Sequence, residues 1–175
     1  MINRRHAIGV ASIGIASVGL ALAVLPAAWL SAAHAEQAFE RFLPFLVELE
    51  GWQGKKPQGF AMQMSGSDMV TASREYERGP ARLQASLMTG AAAQGALAPT
   101  RTAMNIETSD GRMNTSAIDG LQVTRSFNIK EQSGAILVAL GTSALLSVTF
   151  KGIGDDALTL ARKFNWKALQ AAIQQ

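Results

Sequence analysis

Apolar residues recur at every second position over much of the chain between Phe60 and Phe150, which is the spacing of strands that bury one face. Turn signals such as Gly79-Pro80 and Asp119-Gly120 separate the alternating runs. The last two runs are almost continuously apolar, so we expect them to be central strands. The pattern predicts strands over residues 60–64, 69–78, 81–88, 113–118, 121–127, 135–140 and 144–150.

Helical spacing is found on both sides of these strands. Residues 36–49 carry apolar side chains close to a helical period, and Pro44 predicts that this helix is kinked or divided. Residues 154–175 predict a C-terminal helix with an apolar stripe that includes Leu160 and Phe164. On the helical wheel Trp166 lies outside this stripe, which indicates a boundary position or, alternatively, a partner surface.

The order of these elements predicts an α+β fold. We expect a mostly antiparallel sheet of about six to seven strands, with N- and C-terminal helices packed on it. Residues 89–104 interrupt the strands with a run of small residues, which is compatible with either a weak helix or a mobile loop.

The first 35 residues have the three parts of an export signal. An arginine pair precedes an uncharged apolar run over residues 7–30, and small residues follow at Ala33 and Ala35, as signal peptidase requires. We expect cleavage after Ala35, or after Ala33, and a single domain over residues 36–175. The arginine pair partly matches the twin-arginine motif, with ordinary Sec export as the alternative. Because the apolar run exceeds the roughly 20 residues that span a bilayer, an uncleaved inner-membrane anchor is a further alternative.

Composition limits the chemistry. The chain has no cysteine, and its two histidines, His6 and His34, both precede the cleavage site expected first, after Ala35. A mature chain without them lacks the side chains that most nucleophilic, general-base and transition-metal sites use. Loss of the signal also lowers the net charge from +3 to +1 (fourteen Lys and Arg against thirteen Asp and Glu), which gives no reason to expect a nucleic-acid partner. The balance favours a protein that is not an enzyme and holds no cofactor.

Arg74 and Tyr76 form the candidate ligand-binding site. They lie two residues apart on one face of a predicted strand, and a guanidinium beside a phenol can hold a carboxylate or a phosphate. Residues 89–104 are the candidate flap over this site. The alternative is that both side chains belong to a solvated face or edge of the sheet.

Three methionines offer a metal alternative. Met62, Met64 and Met69 lie close together, and thioethers are soft ligands suited to Cu(I). Met62 and Met64 share a strand face with Phe60, which predicts core packing instead. We therefore expect core packing, with a Cu(I) site as the alternative.

Paired carboxylates can supply acid–base chemistry without histidine. The candidates are Glu48 with Glu50 and Glu75 with Glu77. Each pair also has a simpler interpretation, as charge beside a turn or on a strand.

Three segments resemble a group of small, uncharacterised exported bacterial proteins. The segments are Trp52–Pro57, Ser73–Gly79 and Phe164–Leu169. The order of elements is similar to that of the Mog1/PsbP-like α/β/α sandwich. Because PsbP-like proteins assist larger assemblies, the resemblance implies a non-catalytic accessory or binding role, and it carries over no functional residue.

These features together predict an exported periplasmic domain that acts by binding a small ligand or a protein partner. One alternative is an inner-membrane-anchored accessory subunit, which would touch the membrane only through its N-terminal segment. The second alternative is a carboxylate-dependent hydrolase.

Overall fold

The computed structural model describes residues 38–64, 67–154 and 156–174. Residues 38–40 are helical, and Leu43–Phe45 form a 3₁₀ turn that contains Pro44, so the N-terminal helical region consists of short pieces. The expected cleavage positions Ala33 and Ala35 lie outside the described residues.

Nine strands lie within the described residues, and all of their pairings are antiparallel. They form one sheet in the order β1-β3-β4-β9-β8-β7-β6-β5, and β2 pairs with β3 on the same edge as β1. Their bounds are β1 (Gln53–Gly54), β2 (Gln58–Met64), β3 (Ser67–Arg78), β4 (Ala81–Gly90), β5 (Met104–Glu107), β6 (Gly111–Ile118), β7 (Leu121–Asn128), β8 (Ser133–Ala139) and β9 (Ala144–Lys151).

The expected sheet-dominated α+β fold is confirmed, but the predicted count of six to seven strands is wrong. The two strands that the pattern did not predict are β1 and β5, which have two and four residues. Both are edge strands and largely exposed, so they carry too little alternation to be recognised. The expectation of central apolar strands is confirmed, because β9 lies between β4 and β8 and is buried from Ala144 to Val148.

The expected C-terminal helix is two helices, α2 (Ala157–Arg162) and α3 (Trp166–Ile173). Asn165 separates them in a left-handed conformation with φ of 41°, and its side chain accepts a hydrogen bond from the amide of Ala168 at 3.2 Å. A left-handed residue cannot continue an α-helix, so the helical wheel starts again after it.

This break explains why the interpretation of Trp166 was wrong. Its side chain is only 5% exposed, and Nε1 donates a hydrogen bond of 2.8 Å to the carbonyl oxygen of Ala161. Trp166 therefore belongs to the core and offers no partner surface. No helix within the described ranges is long and apolar enough to cross a membrane.

The two faces of the sheet are covered differently. We call the face that packs against α2, α3 and residues 42–52 the helical face, and it carries the main core with Leu83, Val138 and Leu146. On the opposite side, the back face, Leu145 packs with Ala93 and Leu97.

Residues 89–104, for which helix and loop were both open, are part of this back-face layer. They form the end of β4, the helix α1 (Ala91–Ala96) and a 3₁₀ turn (Ala98–Thr100), and they lead into β5. The carbonyl oxygen of Pro99 accepts hydrogen bonds of 3.2 Å from the hydroxyls of Thr115 and Thr124, which fixes the turn on β6 and β7.

Strand β2 turns the large side chains of Phe60 and Met62 outward. Phe60 is 46% exposed and Met62 is 44% exposed, so the expectation that they pack in the core is wrong. The positions that face the core hold Gly59 and Ala61 instead. A Cβ at Gly59 would lie 2.5 Å from Cδ2 of Phe39, which shows that Phe39 already fills the space over this strand.

Candidate functional site

Arg74 and Tyr76 lie close together, and the segment 46–55 covers them, so they are not on an open surface. Arg74 is 8% exposed and Tyr76 is fully buried, so the alternative of a solvated face is wrong for both. Arg74 donates from Nη1 to the carbonyl oxygen of Leu46 at 2.9 Å and from Nε to that of Lys55 at 2.8 Å. The Tyr76 hydroxyl donates to the carbonyl oxygen of Val47 at 2.8 Å.

These contacts bind strand β3 to the segment 46–55. Nη2 of Arg74 also pairs with the exposed carboxylate of Glu48, and the guanidinium carbon lies 5.3 Å from the centre of the Tyr76 ring. Leu46, Lys55 and Glu48 engage donors on all three nitrogens of the buried Arg74 guanidinium, which leaves little of it open to a ligand. The arrangement is that of a structural clamp.

The proposed flap does not cover this clamp. Arg74 and Tyr76 are opposite Ala85 and Leu83 of β4, on the helical face. The segment 89–104 packs on the back face, so the sheet separates it from both residues.

Burial and ion pairing shift two ionisable groups near the clamp. Burial raises the pKa of the Tyr76 phenol above its usual value, because the charged phenolate would lose its hydration. Hydrogen bonds to Glu75 and then to Glu77 raise the pKa of the Lys55 ammonium, because both carboxylates favour its charged form. Lys55 Nζ lies 2.6 Å from Glu75 Oε2 and 3.4 Å from Glu77 Oε1.

Three of the four candidate carboxylates, Glu48, Glu75 and Glu77, are therefore bound to cations. Glu75 and Glu77 share Lys55, Glu77 also lies 3.5 Å from Nε of Arg82, and Glu48 belongs to the clamp. Within the described residues, no group of three His, Asp or Glu side chains is placed to hold a metal ion.

Two of the three methionines that are candidate copper ligands lie side by side in the structure. Met62 and Met69 are directly opposite each other on β2 and β3, so their side chains share the back face. The Met64 backbone pairs with Ser67 at the end of the same ladder. Copper binding by these residues stays a prediction.

A different site lies on the helical face, where the sheet extends beyond the helices. It is a cleft of about 400 Å³ between α2 and strands β5 to β9, which we call the arginine cleft. Its apolar lining is formed by Phe127, Ile136 and Phe150 on the sheet and by Ala157 and Leu158 on α2.

The opposite side of the arginine cleft is polar. Two rows of paired residues cross the strands there, Asn105–Asn114–Arg125 and Glu107–Arg112–Phe127. All six residues line the cleft. Because residues opposite each other in a sheet point to the same side, pairing alone collects these groups from three strands.

Hydrogen bonds and ring contacts hold this polar side in place. Arg125 Nη2 donates to Oδ1 of Asn114 at 3.1 Å, and the hydroxyl of Ser116 donates to the same oxygen at 3.2 Å. The Arg112 guanidinium lies 5.4 Å from the centre of the Phe127 ring. That ring is stacked on Phe150 at 6.2 Å with an angle of 18° between the planes.

Two turns set the register that aligns these rows. Asp119 and Gly120 have φ of 54° and 84°, the left-handed pair that closes a two-residue hairpin between β6 and β7. Between β5 and β6, the hydroxyl of Thr108 accepts a hydrogen bond of 3.1 Å from the amide of Gly111. A slip of one residue at either turn would move the polar groups to the back face.

The sequence pattern did not indicate this site, because its residues are scattered over more than fifty positions. One signal was present: Asn105 and Glu107, and then Arg112 and Asn114, are polar residues two apart, as on one face of a strand. Their common side was recognisable only once β5 was known to pair with β6.

Comparisons with known proteins give no assignment for this site. A scan against protein-family models, a search of the curated proteins and a search of the solved structures gave no match. The relation to the Mog1/PsbP-like fold stays a prediction.

Proposed function

We propose that this chain is an exported, non-catalytic domain that binds a small ligand in the arginine cleft. The observation that carries the proposal is the cleft itself, with an apolar floor and hydrogen-bonding groups gathered along one side. Ligand sites are typically concave, mostly apolar and supplied with a few polar groups that orient the ligand. The volume of about 400 Å³ lies within the usual range of roughly 300–1,000 Å³.

The chemistry of the lining supports binding rather than catalysis. The described lining residues bring no hydroxyl into the cleft, because Ser126 lies between Arg125 and Phe127 on β7 and its side chain points to the back face; its hydroxyl donates to the carbonyl oxygen of Ala135 at 3.4 Å. A serine nucleophile needs a base to accept its proton, and both histidines of the chain precede the expected cleavage site. Guanidinium and amide groups are suited to hold a ligand without changing it.

Export follows from the N-terminal pattern and has a direct test. N-terminal sequencing of the protein from fractionated cells should give Glu36 in the soluble periplasmic fraction. A start at Met1 in the membrane fraction would favour the inner-membrane-anchored alternative and would leave the cleft proposal intact.

Ligand retention by the purified protein tests the cleft. A Cβ built at Gly154, which lines the cleft, meets no atom within 4 Å, and the same is true of Gly95 on the back face. A Gly154→Trp variant should therefore fill the cleft without disturbing the backbone, and Gly95→Trp is its matched control. Native mass spectrometry of gently purified protein should show a bound species that Gly154→Trp loses and Gly95→Trp keeps.

Two results would contradict this proposal. One is a bound species that Gly154→Trp retains, since the ligand would then lie elsewhere. The other is protein without any bound species that also gives no thermal shift with a broad panel of small acids, alcohols, amines and sugars.

A further inference from the structure

We infer that the ligand of the arginine cleft is an amphipathic monoanion, a small molecule with one carboxylate on an apolar body. The inference rests on the proposed function, because it names the chemical class that the same cleft would bind. Three properties of the cleft carry it: a guanidinium held in place, a small positive excess of charge and an apolar floor.

Arg125 is the group best placed to hold the carboxylate. Its bond to Asn114 uses one of the five N–H donors of a guanidinium, so it fixes the side chain and leaves donors for a ligand. Guanidinium and carboxylate groups match in a planar, two-bond geometry. The side-chain oxygen of Asn114 accepts hydrogen bonds from Arg125 and Ser116, so the nitrogen of the same amide is the group that can donate to a ligand.

The charge of the lining distinguishes a monoanion from a dianion. Among the described lining residues the charged side chains are Arg112, Arg125 and Glu107. Two cations and one anion leave a single positive charge, which one carboxylate neutralises. A phosphate monoester near −2 would leave an excess of negative charge and would approach Glu107.

The apolar floor selects the rest of the ligand. Phe127 is half-buried, and its ring is stacked on the buried Phe150. Ile136 and Leu158 continue this surface towards α2. An alkyl or aromatic body lying on it would be removed from water, which contributes roughly 25 cal/mol per Å² of apolar surface buried.

A series of eight-carbon probes tests this class on protein purified from cells that express the full chain. Isothermal titration at pH 8 would compare octanoate, octan-1-ol, octyl phosphate and octyltrimethylammonium. We expect octanoate to bind about tenfold more tightly than octanol, as one charge-assisted hydrogen-bonded pair contributes. We expect octyl phosphate to bind no more tightly than octanoate, and the cation to bind most weakly.

Variants assign the effect to the guanidinium. Arg125→Gln should weaken octanoate binding about tenfold and leave octanol binding unchanged. Arg101→Gln is the charge-matched control, because Arg101 is exposed beside the back-face turn and does not line the cleft. Gly154→Trp should abolish binding of both probes.

The outcomes separate the ligand class from the proposed function. Equal binding of octanoate and octanol, or octanoate binding that Arg125→Gln does not change, would overturn the monoanion while the cleft remains a ligand site. The same conclusion follows if none of the probes binds but Gly154→Trp still removes a co-purified species. If no probe binds, no species co-purifies and the broad panel of small molecules gives no thermal shift, both the class and the proposed function are wrong.

Discussion

Arg74 donates a hydrogen bond of 2.9 Å from Nη1 to the carbonyl oxygen of Leu46, which precedes it by 28 residues. Leu46 is itself buried, and its carbonyl group would otherwise have to be satisfied by another donor. A side chain that was a candidate for binding a ligand is thus used to fix an irregular segment on the sheet. Arg74 therefore has a structural role, and the ligand site that we propose lies in the arginine cleft instead.

Replacing Arg74 by methionine should lower the free energy of unfolding by about 2–3 kcal/mol, because the buried carbonyl group of Leu46 and the part-buried one of Lys55 lose their donor. Urea unfolding measures this change. Glu48→Gln is the control, and it should cost less than about 1 kcal/mol because the Glu48 carboxylate is exposed. An Arg74→Met protein with unchanged stability that fails to bind octanoate would restore Arg74 as a ligand residue.

Tyr76 should stay protonated in the folded protein well above its ordinary pKa. Burial raises its folded-state pKa, whereas in the unfolded chain the value is about 10. The unfolded chain therefore loses this proton first, so the contribution to stability is complete below about pH 10 and falls as the pH rises further.

Absorbance at 295 nm checks this prediction, because Tyr76 is the only tyrosine of the chain. We expect the tyrosinate signal to appear together with the loss of the far-ultraviolet circular dichroism spectrum. A midpoint near pH 10 with the spectrum intact would show that the phenol is not buried. In Tyr76→Phe, the dependence of the free energy of unfolding on pH should become shallower, with the part due to Lys55 remaining.

Asn165 should tolerate glycine better than alanine. Its φ of 41° is unfavourable for a residue with a Cβ, and its side chain caps α3. Alanine keeps the strain and loses the cap, so Asn165→Ala should lower the free energy of unfolding by about 1–2 kcal/mol. Asn165→Gly relieves the strain and should cost less. Equal losses in thermal unfolding would contradict this account of the break between the two helices.

The apolar pattern predicted the sheet well and the position of large side chains at its edge poorly. Alternation identified the long strands because each buries one face. It also suggested that Phe60 and Met62 face the core. In the structure Phe39 covers Gly59, so the alternate positions of β2 face the core, and Phe60 and Met62 point outward. The pattern of apolar residues within β2 cannot show which face is covered, because the covering residue lies twenty positions earlier in the chain.

The site was less predictable than the fold for the same reason. Arg74 and Tyr76 were correctly placed on one strand face, yet their burial depends on the chain at residues 46–48. The rows that end in Arg125 and Phe127 exist only through the register of two hairpins. Local patterns identify strands, whereas sites on the face of a sheet depend on pairing.

The exposed face of β2 gives a prediction about oxidation. Met62 is 44% exposed and its opposite residue Met69 is half-buried, so dilute peroxide should convert Met62 to the sulfoxide first. Peptide mapping by mass spectrometry follows both residues. If Cu(I) protects Met62 and Met69 together, the thioether alternative gains support. Faster oxidation of Met69 would contradict the placement of the two side chains.

Chemical-shift mapping by NMR can show directly whether octanoate binds in the arginine cleft. Octanoate should be titrated into isotope-labelled protein while the backbone amide resonances are followed. We expect saturating shifts at Asn114, Arg125 and Leu158, with little change at Thr71 and Gly95 away from the cleft. Saturating shifts centred on the Arg74 clamp or on the back face, with those of Arg125 and Leu158 unchanged, would contradict this expectation.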